Sequence, residues 1–168
     1  EELWQLFPIF LTEHRECWKD WYAEEKVFLE AFILQDIRIH HVGSTAVNSI
    51  CAKPIVDILL EVPKECNLEV VKDLLVKHGY TCMSQSEGRI SLNKGYTENG
   101  FAEKVFHVHV RHFGDNDELY FRDYLNEHSD IARAYEELKL TLWKKYEHDR
   151  DGYTDAKTEF IRKYTEEA

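Results

Sequence analysis

The sequence has no closely paired cysteines, no excess of positive charge and no long apolar run. Cys17, Cys51, Cys66 and Cys82 form no C-x-x-C pair and no close His-Cys cluster. This excludes a structural-zinc framework and leaves buried free thiols in a reducing compartment as the expectation. No apolar stretch approaches the roughly 20 residues needed to cross a bilayer. The N-terminal EELWQLFPIFLTEHRE lacks the basic flank of a signal peptide. The expectation is a soluble cytoplasmic protein with no membrane partner. The first residue is Glu1 rather than Met, so the numbering is expected to start inside a processed or trimmed chain. With 32 acidic against 21 basic residues and a net charge of −11, general nucleic-acid binding is disfavoured, although a local basic pocket is compatible. Internal repeats and low-complexity segments are also missing. At 168 residues and 20.0 kDa the chain is expected to form one domain, 1–168, with a substantial core.

What is present is a clear succession of periodicities. Trp18, Trp21, Val27, Phe28, Ala31 and Phe32 recur at helical spacing and predict an amphipathic helix from Thr12 to about Ile33. Residues 37–42 and Ile55 to Val62 read as strands flanking a Gly43-Ser44 turn and a short helix, with Pro54 and Pro63 bracketing the second strand. Leu68 to His78 predicts a helix capped by Gly79, and residues 80–84 and 89–93 predict two short strands. Residues 97–104 read as a turn or loop leading into a strand at 105–111. Three helices are then expected at 117–127, 130–147 and 154–166, with Leu119, Phe121, Tyr124, Leu125, Ile131, Ala134, Tyr135, Leu138, Leu142, Trp143, Ala156, Phe160 and Ile161 facing inward. The pattern implies an α+β domain: a mixed β-sheet with packed helices and a helical C-terminal third.

The stretch HVGSTAVNSICAKPIVDILLEV at 41–62 carries the chemistry. Gly43 lets a phosphate approach the backbone, and the Ser44 hydroxyl and nearby amides can donate to it. The alternative is that Ser44 or Thr45 only caps the short helix. Lys53 is a phosphate ligand or a solvated charge. Asp57 sits among Ile55, Val56, Ile58, Leu59 and Leu60, where a carboxylate is costly unless it is paired or metal-bound. An internal ion pair with Arg111, Arg122 or a lysine would also satisfy it. Leu59 stands where an alternating strand would place a second acid, and Glu61 lies about 13 Å farther on, at about 3.3 Å per residue.

His107, His109 and Arg111 alternate with Phe106, Val108 and Val110, so three polar side chains share one strand face. Beside Asp57, the two histidines could complete a His₂-carboxylate site for Mg or Zn, or a basic cradle for phosphate; an exposed strand face is the alternative. In the helical third, Arg122, Asp123, Tyr135, Lys139, Tyr153 and Lys157 are the polar residues expected to face the sheet. Lys139 follows Tyr135 by four, as Lys157 follows Tyr153. One or two of these cations could close a phosphate pocket, against the alternative of ordinary surface ion pairs.

HVGSTAV at 41–47, AKPIVDILLEV at 52–62, HVHV at 107–110, LYFRDYLNEH at 119–128, YEELK and DGYTDAKTEFI at 151–161 together resemble the GrpB family, whose members are also found fused to some dephospho-coenzyme A kinases. The resemblance covers nearly the whole chain and implies a nucleotidyltransferase-like fold. That superfamily pattern follows a Gly-Ser turn with Asp-x-Asp and a third acid on a later strand. Gly43, Ser44 and Asp57 match; Leu59 replaces the second acid, and His107 and His109 occupy the later strand. This departure bears on two-metal nucleotidyl transfer.

The leading expectation is a nucleotidyltransferase-like protein that binds a nucleotide or another phosphorylated small molecule through Gly43, Ser44, Lys53, Arg111, Arg122 and Lys139. Asp57 and His109 would be catalytic, and a divalent metal would be held by Asp57, His107 and His109. A non-catalytic ligand-binding or accessory module is one alternative. A metal-dependent hydrolase built on Asp57, His107 and His109 is the other.

Overall fold

The computed structural model describes residues 11–146 and 149–167. A helix α1 (Cys17–Phe32) leads to β1 (Arg38–Val42), a single 3₁₀ turn (Ser44–Ala46) and β2 (Ile55–Val62). Helix α2 (Leu68–Lys77), β3 (Thr81–Ser86), β4 (Arg89–Thr97) and β5 (Gly100–His112) follow, and α3 (Asp117–Glu127), α4 (Ser129–Lys145) and α5 (Arg150–Glu167) complete the described chain. The five strands form one mixed sheet in the order β1-β2-β5-β4-β3. Only the central β2–β5 pair is parallel.

Local chemistry explains the boundaries. The Asn67 side chain accepts a hydrogen bond from the Glu69 amide at 3.0 Å, capping α2. Gly79, at φ +102°, ends that helix in the left-handed region, as the sequence predicts. The expected loop at 97–104 is instead a tight hairpin: Thr97 pairs with Gly100, and β5 already runs from Gly100. Polar composition suggested a loop, but cross-strand pairing such as Tyr96 with Phe101 extends the ladder.

One sheet face carries the main core. Val56, Ile58 and Leu60 of β2, Val108 and Val110 of β5, and Ile90 and Leu92 of β4 pack against Trp18 and Leu29 of α1 and Val71 and Leu75 of α2. Burying each of these side chains is worth roughly 1.5–3 kcal/mol. The inward stripe of α1 differs from the one expected. Val27 and Ala31 are exposed and Phe28 is 38% exposed, whereas Glu25 is buried. Glu25 is tolerated because Lys94 Nζ donates to it at 2.8 Å and Tyr80 Oη also donates. In α4, Ala132 rather than Ala134 faces inward, on a stripe continued by Tyr135, Lys139 and Leu142.

The helical third packs on the segment between β1 and β2. Val47 and Ile50 share a cluster with Phe121, Leu125, Ala132 and Tyr135. The opposite face of the sheet, carrying Asp57, His107 and His109, is therefore free of the α1–α2 layer.

Candidate functional site

In the antiparallel β1–β2 register Val42 lies opposite Asp57, so the chain turns at Gly43 beside that carboxylate. Gly43 has φ +75°, and a Cβ there would stand 2.4 Å from Asp57 Oδ2. Only glycine allows the backbone to approach this closely. The expected short helix is one 3₁₀ turn, in which the Ala46 and Val47 amides donate to the Gly43 and Ser44 carbonyls at 3.1 Å. Among the described residues, the Ser44 hydroxyl and the Ser44 and Thr45 amides have no acceptor. The turn thus offers individual donors rather than a helix macrodipole.

The turn is held from both sides. On the α1 side, His41 stacks on Tyr22 with centroids 4.9 Å apart, and its Nε2 lies 2.8 Å from Thr45 Oγ1. Burial lowers the His41 pKa to about 4, with Asp57 opposing the shift and Arg122 adding to it. On the helical side, Asn126 Nδ2 donates to the Ala46 carbonyl at 3.2 Å, while its Oδ1 accepts from the Asn48 amide at 2.9 Å. Lys139 Nζ donates to the Cys51 carbonyl and the Cys51 amide donates to Glu136 Oε2, both at 2.6 Å.

The parallel β2–β5 register puts His107 beside Asp57 and His109 one step farther along the same face. His109 Nε2 lies 3.2 Å from Asp57 Oδ1, and His107 Nδ1 lies 3.8 Å from the same oxygen. Ser91 Oγ is 3.3 Å from His109 Nδ1, and Tyr96 Oη is 2.9 Å from His107 Nε2. With Nε2 protonated, His109 donates to Asp57 and accepts from Ser91. Burial by itself raises the Asp57 pKa; the His109 hydrogen bond and the positive charges of His107, His109 and Lys53 outweigh it and bring it to about 2. Asp57 is therefore a carboxylate throughout the neutral range. Among the described residues no three His, Cys, Asp or Glu side chains are grouped so as to hold a metal ion.

The predicted cations separate into two groups. Lys53, Lys139 and Lys157 gather beside the segment between the turn and β2: Lys53 and Lys157 lie over the Tyr153 ring at 5.3 and 4.8 Å, and the buried Lys139 lies over Tyr135 at 5.0 Å and donates to the Cys51 carbonyl. Burial, then Lys157 and Lys53, hold the Lys139 pKa well below the usual lysine range. Arg122 reaches the start of the turn, where Nη1 donates to the His41 carbonyl at 2.9 Å. Arg111 is not brought to the turn. It is four residues beyond His107 along β5, and its Nη1 lies 2.8 Å from Glu118 Oε1 and 3.8 Å from Asp115 Oδ1. Leu59, two residues beyond Asp57 on β2, is fully buried.

Sequence reasoning missed Ser91, Tyr96, Asn126 and Glu136 as supports of this site. Ser91 and Tyr96 are recognisable only after the β4–β5 register is known. Asn126 and Glu136 act on a loop 78 and 85 residues away in sequence.

A mixed sheet with a Gly-Ser turn pressed against a strand carboxylate, and helices closing on that turn, defines a nucleotidyltransferase-like α+β fold. The Cid1 poly(U) polymerase with MgGTP bound has the same fold, with a TM-score of 0.55 and 10% identity over 80% of this chain and 44% of the polymerase. More specifically, the chain belongs to the GrpB family, described as GrpB protein, which matches residues 8–167. It is 37% identical over 161 residues to the glutamate-rich protein GrpB of Alkalihalophilus pseudofirmus, covering 91% of both chains. It also resembles the crystal structure of the conserved protein GrpB from Enterococcus faecalis, with a TM-score of 0.81 and 30% identity over 94% of this chain and 96% of the other.

Proposed function

We propose that this protein binds a nucleotide or another phosphorylated small molecule, with a phosphate on the Gly43–Ser44 turn and Asp57 beside it, and transfers a nucleotidyl group. The observation carrying this reading is the approach of the Gly43 backbone to Asp57, where a Cβ would lie 2.4 Å from Oδ2. That approach supports the reading because the turn, whose Ser44 and Thr45 amides have no acceptor among the described residues, lies against an ionised carboxylate. The Ser44 hydroxyl and the Ser44 and Thr45 amides bind the phosphate oxygens, and Lys53 supplies positive charge nearby.

The donor set fits a magnesium ion that arrives with the phosphate. Such an ion keeps several waters and needs only one or two carboxylates, so Asp57 suffices without a preformed cage of three protein donors. The metal would neutralise charge on the phosphate. His109, fixed between Asp57 and Ser91, orients the Asp57 carboxylate. His107, tethered to Tyr96, flanks the same carboxylate oxygen. A cytoplasmic location suits a site that recognises phosphorylated metabolites.

Calorimetric titration with nucleoside triphosphates in Mg²⁺ tests the reading. Binding is expected for the native chain and is expected to be lost in Asp57→Asn. Equal affinity with and without the metal, unchanged in Asp57→Asn, would remove Asp57 from the site. Binding without turnover of any acceptor would favour the accessory-module alternative, which the buried Leu59 in place of a second acid supports.

A further inference from the structure

A cavity of about 290 Å³ opens at the end of the sheet where β2 begins, lined by Arg15, Lys53, Ile55, Phe101, Ala102 and Val105 among others. Ile55 and Val105 are partners in the β2–β5 register, one alternation before Asp57 and His107 on the same face. The cavity therefore lies about 7 Å along the strands from the Asp57–His107 row, at about 3.3 Å per residue. Past Val42, which pairs with Asp57, β1 runs on towards this same end of β2, so the Gly43 turn and the cavity flank the beginning of that strand.

The lining has two chemical parts. Ile55, Phe101, Ala102 and Val105 give an apolar wall, whereas Arg15 and Lys53 put two cations, and Glu103 one carboxylate, at its margin. Phe101 packs edge-to-face on Tyr96, with centroids 5.1 Å apart and planes at 82°, and Tyr96 in turn meets His107. The cavity wall is thus continuous with the polar row. Lys53 belongs both to the cavity lining and to the charges acting on Asp57.

Building on the phosphate site proposed above, we infer that this cavity seats the planar base of the ligand, making the ligand a nucleoside phosphate rather than a sugar phosphate or an inorganic polyphosphate. Ile55 lies two residues, about 7 Å, along β2 from Asp57, the side chain that Gly43 approaches, so one mononucleotide can reach from a phosphate on the turn to a base in the cavity. The volume suits one ring system, and an aromatic wall with cations at its edge recognises a π-face and the adjoining phosphates.

The test compares ATP, GTP, UTP and CTP with tripolyphosphate, all with Mg²⁺, by calorimetry on the native chain, Ala102→Trp and Phe101→Ala. Tripolyphosphate reproduces the phosphate chain without the nucleoside. Ala102 is exposed, so a tryptophan there fills the cavity from its rim without entering the core. At least one nucleotide is expected to bind about tenfold more tightly than tripolyphosphate, with that preference collapsing towards unity in Ala102→Trp. Thermal melting confirms that each variant is folded, and Phe101→Ala is the second probe of the same wall. Equal affinity for tripolyphosphate and every nucleotide would overturn the inference while leaving the turn as a phosphate site. So would a nucleotide preference unchanged in both variants. Failure of tripolyphosphate and all the nucleotides to bind would overturn the turn reading and the base pocket together.

Discussion

His41 makes folding stability sensitive to mild acid. Its ring is enclosed between Tyr22 and the Gly-Ser turn, and burial lowers its pKa from 6.5 to about 4, against the favourable influence of Asp57 and with Arg122, His14 and Lys19 opposing its charge. Between these values the unfolded chain binds a proton that the native chain excludes, so stability falls as pH drops from 6.5 towards 4 and the loss levels off below that. At 1.36 kcal/mol per unit the ceiling is about 3 kcal/mol, and partial solvent access at this position reduces it to about 2 kcal/mol. His41→Gln keeps a hydrogen-bonding side chain near Thr45 but cannot titrate. Urea unfolding of both proteins at pH 7, 6, 5 and 4 should therefore show the native chain losing about 2 kcal/mol more than the variant. Parallel losses across that range would refute the claim that His41 is held neutral.

Other perturbations test different parts of the structure. Gly43→Ala should cost about 1–3 kcal/mol in urea unfolding, because it combines a left-handed backbone with a Cβ driven into Asp57 Oδ2; native-like stability would show that the turn is loose. Asp57→Asn should remove a stabilisation of about 2 kcal/mol that is present above pH 3.8 and lost as pH falls through about 2; identical acid-unfolding curves would show that its ion pairing is weak. Lys94→Met should cost about 2–3 kcal/mol by leaving the buried Glu25 with Tyr80 alone, as read by thermal unfolding; a more stable variant would show that the pair costs more in desolvation than it contributes. Asn126→Ala should lower stability by about 1–2 kcal/mol and increase hydrogen exchange at Asn48, whose amide loses its acceptor.

The elements whose hydrophobic period is undisturbed were legible in the sequence. The run Ile55 to Val62 between two prolines became β2 with those bounds, and 117–127 became α3. The stripe of α1 was misread because Glu25 looks solvent-facing until Tyr80 and Lys94, 55 and 69 residues away, supply its partners. The hairpin at Thr97–Gly100 was misread because polar turn residues do not reveal where cross-strand pairing begins. At the site, alternation alone grouped His107 with His109, and the parallel register brought both to Asp57. Alternation also placed Arg111 on their face, but a distance of four residues and the acids Asp115 and Glu118 direct it elsewhere. No local pattern could show that Asn126, Glu136 and Lys139 grip the segment between the turn and β2, since those contacts depend on how the helical third docks.

Phosphate binding at the Gly43–Ser44 turn is tested most directly by titrating the ¹⁵N-labelled chain with tripolyphosphate and Mg²⁺ and following backbone amide shifts. The largest changes are expected at Ser44 and Thr45, the amides proposed to bind phosphate, and are expected to disappear in Asp57→Asn. Changes centred instead on Arg111 and Glu118, or a turn that does not respond at saturating ligand, would contradict binding at the turn.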